Sequence, residues 1–271
     1  MDAFQAIVLG IVQGLTEFLP ISSSGHLRIV PAFAGWEDPG AAFTAVIQLG
    51  TMAAVLLYFR RDLLNIARAW FAGLRDAEAR RTADSRMGWY LIVGTIPICI
   101  FGLAFNDQID KEARNLSLIA TMLIALGLLL LFAETVAKRD RNIETVNWRD
   151  ALVIGLAQAA ALVPGVSRSG STITAGLLLR FDRAAAARFS FLLSVPAVVL
   201  SGGYQMRHIG GEGAVGFVPT SLATIAAFIS GYAAIAFLLK FLATHTTAVF
   251  VVYRVVLGIV VFALVGANVI D

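Results

Sequence analysis

The chain has 271 residues, of which 58% are hydrophobic and only 14% charged, with a formal net charge of +3 and a mean hydropathy of +0.80. A soluble domain carries about 25% charged residues, so this composition excludes an ordinary water-soluble fold and implies a surface facing lipid. No basic patch interleaved with aromatics points to nucleic acid. The single cysteine, Cys99, lies in an apolar run and excludes an internal disulfide or a Cys-rich metal site.

The first apolar stretch, Ala3 to Leu19, is preceded by no Lys or Arg, so it reads as part of the fold rather than as a secretory signal. It does not continue as a span. Residues 3–36 run apolar, meet Pro20-Ile21-Ser22-Ser23-Ser24-Gly25-His26, and turn apolar again. Three crossing segments follow at 41–59, 88–105 and 116–137, each near the length that a helix needs to cross a bilayer. Residues 151–180 then repeat the earlier pattern around Pro164-Gly165-Val166-Ser167-Arg168-Ser169-Gly170-Ser171-Thr172. Three more spans, 188–204, 217–240 and 246–267, complete the chain.

The charges between spans set the orientation. Seven arginines lie between Arg60 and Arg86, and four basic residues between Lys138 and Arg149, which places both loops in the cytoplasm. The connections at 106–115 and 205–216 and the C-terminus then lie outside. With this parity, 3–36 must enter and leave from outside, and 151–180 from inside. Both read as re-entrant helix–loop–helix hairpins, tolerated only where protein or a wet cavity surrounds the irregular backbone.

The hairpins match at an offset of 145: Gly10 with Gly155, Gln13 with Gln158, and Ser22, Ser24 and Gly25 with Ser167, Ser169 and Gly170. The expected fold is all-α, a single membrane domain of six transmembrane helices plus two re-entrant hairpins. Residues 1–137 form a first repeat and residues 150–271 a second, inverted one. Inverted repeats with broken helices that meet near the midplane mark a binding site.

Ionisable residues at membrane depth are rare, because the bilayer centre costs at least ~2.5 kcal/mol per charge. Glu17, His26 and Arg168 are therefore the sharpest anomaly. Ser-Gly segments that open a helix suit phosphate, since the first amides are unsatisfied and the helix dipole favours an anion. Ser22, Ser24, Gly25, Ser167, Ser169, Gly170, Ser171 and Thr172 are the expected phosphate-binding set, and Arg168 can donate two parallel hydrogen bonds to phosphate. Ser23 and His26, three apart, share a helix face as a hydroxyl nucleophile and its general base would. Glu17 could orient His26, or hold Mg²⁺ or Ca²⁺ against phosphate oxygens. The bland alternative is that the serines and glycines are packing devices and that Glu17 simply pairs with Arg168. For Arg254, inside the last span, snorkelling and a site role compete. Glu134 is expected at the membrane interface, and His208 and His245 in solvated loops.

At these residues the chain resembles the undecaprenyl-diphosphate phosphatase family of the bacitracin-resistance type. The resemblance rests on Gln13-Gly14-Leu15-Thr16-Glu17-Phe18-Leu19-Pro20, Ile21-Ser22-Ser23-Ser24-Gly25-His26 and Pro164-Gly165-Val166-Ser167-Arg168-Ser169-Gly170, with matching order, separation and length. It implies release of inorganic phosphate from undecaprenyl diphosphate, which recycles the lipid carrier for cell-wall synthesis. It further implies dependence on a divalent cation, residence in the bacterial inner membrane, an active site opening to the periplasm, and catalytic roles for Glu17, Ser23, His26 and Arg168. One departure stands out: the family often has an acid where this chain has Gln13, so a two-carboxylate metal site is in doubt, and Gln13 offers a neutral oxygen instead. The acid-phosphatase type shares Ser-Gly-His and Ser-Arg fragments but needs a histidine where Thr172 stands. The expected partners are a polyprenyl diphosphate and membrane lipids, with a homodimer left open and no nucleic acid. The main rival function is a transporter or flippase of a lipid phosphate, which would bind that group without cutting it.

Overall fold

The structure, a computed structural model, describes residues 1–105, 108, 114–205 and 216–270. Among them there is no strand; the chain is an all-helical, multi-pass membrane protein. The helices are α1 (Ala3–Phe18), α2 (Ser23–Ala34), α3 (Gly40–Tyr58), α4 (Arg60–Gly73), α5 (Ala77–Arg80), α6 (Ala83–Ala104), α7 (Leu116–Val136), α8 (Trp148–Ala160), α9 (Arg168–Leu178), α10 (Arg183–Gln205), α11 (Phe217–Leu242) and α12 (Ala248–Gly266). Five of these, α6, α7, α10, α11 and α12, are long and apolar enough to cross a membrane. The α3–α4 pair, bent by 73°, makes a sixth if counted as one span. All six expected spans therefore have a helix. The expected outer connections at 106–115 and 205–216, with His208, fall largely outside the described residues.

Both broken segments are helix–break–helix units, α1–α2 and α8–α9. Each brings its two ends together. Phe4, in the first turn of α1, packs edge-on against Trp36 beyond α2, at 6.4 Å between ring centroids. Arg141 grips Asp150 at the start of α8 with two hydrogen bonds, of 3.0 and 2.6 Å, and reaches the Leu179 carbonyl beyond α9 at 3.1 Å. The two pairs of ends lie at opposite ends of α7. Asp38, which follows α2, pairs with Arg114 just before α7. At the other end, Glu134 accepts hydrogen bonds from Arg139 and Arg183 and from the Thr247 hydroxyl. Glu134, near the end of α7, is thus buried within the protein, 6% exposed. Its carboxylate ties α7 to the starts of α10 and α12, and three donors offset its desolvation.

The first arm of each hairpin packs against a long span from the other half of the chain, α1 on α11 and α8 on α6. Gly10 and Gly155 make these approaches possible. A Cβ on Gly10 would lie 2.2 Å from the Ala223 carbonyl oxygen, and one on Gly155 would lie 2.3 Å from that of Gly94. The 145-residue match of these glycines therefore reflects the same backbone contact made twice. Helix α12 packs along α7, and the breaks of the two hairpins meet beside α7: a Cβ on Gly25 would touch the Ile119 side chain at 3.1 Å, and one on Gly165 would sit 2.6 Å from the Ile119 carbonyl oxygen.

Candidate active site

Helices α2 and α9 begin in the same way. Ser22 and Ser167 are their N-caps, and each hydroxyl accepts a hydrogen bond from a glycine amide three residues on, Gly25 at 3.4 Å and Gly170 at 3.1 Å. Each is also hydrogen-bonded to the serine hydroxyl two residues on, Ser24 at 3.3 Å and Ser169 at 3.2 Å. Both caps adopt a positive φ, 76° and 72°, a region in which a residue with a side chain loses about 1–3 kcal/mol. The two helix starts thus share one strained local conformation, and the first turn of a helix is a place that suits an anion.

Between these starts lies Glu17, in the last turn of α1. One carboxylate oxygen accepts from Arg168 Nη2 at 2.6 Å; the other accepts from the Ser23 hydroxyl at 2.6 Å and from Gln13 Nε2 at 3.2 Å. Arg168 also donates to the Ser194 carbonyl at 3.2 Å. Ser23 and Arg168 are each the first residue of their helix, 145 positions apart, and both converge on one carboxylate. The Glu17 and Arg168 side chains are 7% and 15% exposed, so the pair is largely withdrawn from solvent. Of the expected trio Glu17, His26 and Arg168, the structure pairs Glu17 with Arg168 and adds Ser23 and Gln13 to the same carboxylate, while His26 bonds elsewhere.

The pairing expected for Ser23 is not. Its hydroxyl turns across to Glu17, whereas the His26 ring runs back along its own helix, with Nδ1 2.7 Å from the Ser22 carbonyl and Nε2 2.7 Å from the Tyr253 hydroxyl. A carbonyl only accepts, so Nδ1 carries the proton and Nε2 accepts from Tyr253. The Tyr253 ring stacks on His26 at 5.5 Å. Helical spacing did put Ser23 and His26 on one side of α2. The break between α1 and α2, invisible to that spacing, places the end of α1 closer to the Ser23 hydroxyl.

Arg254 does not snorkel. It is fully buried and donates to the carbonyls of Pro20 in the first loop (3.2 Å), Gly165 and Val166 in the second (3.2 and 3.1 Å), and Leu123 and Met122 on α7 (both 3.1 Å). One guanidinium thereby ties both loops to α7. A Cβ on Gly170 would lie 2.8 Å from Arg254 Nη1, so that glycine makes room for the clamp. The sequence left Arg254 between snorkelling and a site role; nothing in it named its partners. Tyr253 was not expected at the site, and no signal in the sequence distinguished it from an ordinary interfacial aromatic.

The remaining hydroxyls divide. Ser169 donates to the Leu19 carbonyl at 3.0 Å and so links the second loop to the first. Ser171 and Thr172 donate back to the Arg168 carbonyl, at 3.0 and 2.7 Å, and Thr172 meets Ser190 at 2.6 Å. Thr172 therefore joins α9 to α10. For a cation, the described residues contain no group of three His, Cys, Asp or Glu side chains. Gln13 Oε1, next to Glu17 in the site, is buried with no hydrogen-bond partner among the described residues.

The family pattern for the bacitracin resistance protein BacA matches residues 6–260. The chain is 52% identical over 271 residues to an undecaprenyl-diphosphatase of Nocardioides sp., covering 100% of this chain and 99% of that protein. It is 53% identical over 277 residues to undecaprenyl-diphosphatase 2 of Frankia casuarinae (97% and 95% covered) and 51% identical over 278 residues to an undecaprenyl-diphosphatase of Chlorobaculum tepidum (99% of each). The chain belongs to the BacA family.

Proposed function

We propose that this BacA-family protein is a membrane-embedded phosphatase that hydrolyses undecaprenyl diphosphate to undecaprenyl phosphate and inorganic phosphate. The observation that carries the reading is the convergence of Ser23 and Arg168, from two separate helix starts, on Glu17. The terminal phosphate sits at the junction of the loops, where Arg168 and the first amides of α2 and α9 stabilise its charge through the transition state. Ser23 Oγ attacks phosphorus as its proton passes to Glu17. The phosphoanhydride bond breaks, and its electron pair leaves with the polyprenyl phosphate, already a stable anion. Water then attacks the phosphoserine; the bond from phosphorus to Ser23 Oγ breaks, Glu17 returns its proton to that oxygen, and phosphate is freed. His26 Nε2, released from Tyr253, accepts the proton of that water.

A divalent cation, Mg²⁺ or Ca²⁺, fits the donor set in one way. Such ions are often held by one or two carboxylates together with substrate phosphates. Glu17 and the unpartnered Gln13 Oε1 would hold it, and it would supply further charge neutralisation.

In this reading α1–α2 and α8–α9 are re-entrant hairpins of two inverted repeats, supported by their paired ends at opposite ends of α7. The membrane is the bacterial inner membrane, and the site opens to the periplasmic side. The loops meet α7 at Ile119 to Leu123, within about 10 Å of the start of α7 at a rise of ~1.5 Å per residue. The basic loops lie at the opposite end. A homodimer belongs to the same reading and is tested by cross-linking in native membranes. The decisive experiment measures phosphate release from undecaprenyl diphosphate by purified protein, with and without chelator. Turnover supports the reading. Movement of intact lipid with no phosphate released would instead mark a carrier.

A further inference from the structure

A cavity of about 510 Å³ lies beside the second loop. Phe101 and Phe105 at the end of α6, Leu118 at the start of α7, Leu156 and Ala160 on α8, and Pro164 in the loop line it. Its walls are almost entirely apolar, and the two phenylalanine rings stack at 6.0 Å. We propose that this groove is the binding site for the first isoprenoid units of the substrate tail, an inference that rests on the phosphatase reading.

Three observations commit it to that occupant. Pro164 runs directly into Gly165 and Val166, whose carbonyls Arg254 holds, and then into Ser167 and Arg168. The groove wall and the phosphate loop are thus one continuous segment. Leu118 precedes Ile119, the residue against which both loops pack, so the groove and the junction lie at the same level of α7. Finally, Phe101, Phe105 and Leu118 stand at the end of the bundle where the loops meet α7, the leaflet from which the substrate would enter. Apolarity alone would not select this tail, because bilayer chains are as apolar as the groove. The tether selects it. Once Arg168 holds the diphosphate, the attached tail enters the groove in an intramolecular step, at an effective concentration that free lipid does not have.

The test uses the full-length protein in detergent. Ala160→Trp fills the groove from an exposed position on α8, and Ile259→Trp makes the same change on an exposed face of α12. For Ala160→Trp, KM for undecaprenyl diphosphate should rise about tenfold, corresponding to ~1.4 kcal/mol of lost tail binding. Inhibition by inorganic pyrophosphate, which has no tail, should stay unchanged, and Ile259→Trp should match the parent on both. Equal KM in parent and Ala160→Trp, or a parallel loss of pyrophosphate inhibition, would overturn the proposal. A second arm needs no turnover. Undecaprenyl monophosphate with a diazirine on its first isoprene units should label α6 and α8 at the groove, and labelling confined to other helices would overturn the assignment. If the parent protein released no phosphate at all, the phosphatase reading would fall, while the labelling would still decide the tail site.

Discussion

The two hairpins share a frame and divide the chemistry. In both, a serine cap with positive φ opens the second helix, a glycine amide donates to that serine, and a second serine hydroxyl completes the turn. On this common frame, the first helical position is Ser23 in one copy and Arg168 in the other. The position six before it is Glu17 in one copy and Leu162 in the other. The α1–α2 hairpin therefore carries the acid and the hydroxyl, and α8–α9 carries the cation. Neither holds a complete site. The difference teaches that the shared backbone supplies the same helix start twice over, while the acid and hydroxyl on one side and the arginine on the other come together only because the hairpins meet; in the proposed reaction that meeting is what completes the site.

Removing the cation should have the largest effect. Arg168→Ala should lower phosphate release by about a hundred- to a thousandfold, with the protein still eluting as a folded particle in detergent. Arg168→Lys should recover little, since a point charge cannot reproduce the guanidinium fork. Full turnover by Arg168→Ala would break the division of labour outright.

Exchanging the charges sharpens the comparison. The double variant Glu17→Arg with Arg168→Glu restores an ion pair between the hairpins but removes the carboxylate from the Ser23 side. If the pair only locked the halves together, the double variant would work better than either single one. The expectation is activity as low as in Arg168→Ala, together with a melting temperature above that of both single variants.

A third variant separates the clamp from the chemistry. Arg254→Met leaves carbonyls in both loops without their donor and should destabilise the protein by about 2 kcal/mol or more, read as a lowered melting temperature in detergent. Activity should fall with it, because both loops lose their tie to α7. Tyr253→Phe should act more gently, slowing turnover by less than tenfold, since His26 keeps its bond to the Ser22 carbonyl.

The smallest effect comes from the matched glutamines. Gln13 touches Glu17, whereas fully buried Gln158 finds no hydrogen-bond partner for either end of its amide among the described residues. Gln158→Leu should therefore be neutral or stabilising in a thermal melt, while Gln13→Leu should reduce phosphate release. Equal losses from both would mean that the second hairpin carries chemistry of its own.

Much of this arrangement was legible in the chain. The spans, the two breaks and the anomaly of Glu17, His26 and Arg168 follow from local rules. A bilayer demands about 20 apolar residues per crossing and penalises any charge within one. Contacts between elements were not legible. The partners of Glu134 could not be read from its own helix, because Arg183 and Thr247 are 49 and 113 residues away. His26 looked like the base for Ser23 because helical spacing describes one helix and says nothing about the end of the preceding one.

Hydropathy and the doubled serine motif by themselves determined a helical membrane protein with two serine-capped breaks, since each is a property of a short stretch of chain. Tertiary structure alone decided that the Ser23 hydroxyl faces Glu17, that Tyr253 engages His26, and that Arg254 ties Pro20 to Gly165. Hydrogen bonds are fixed by distances of about 3 Å, and only the packing of α1, α2, α7, α9 and α12 against one another sets distances on that scale.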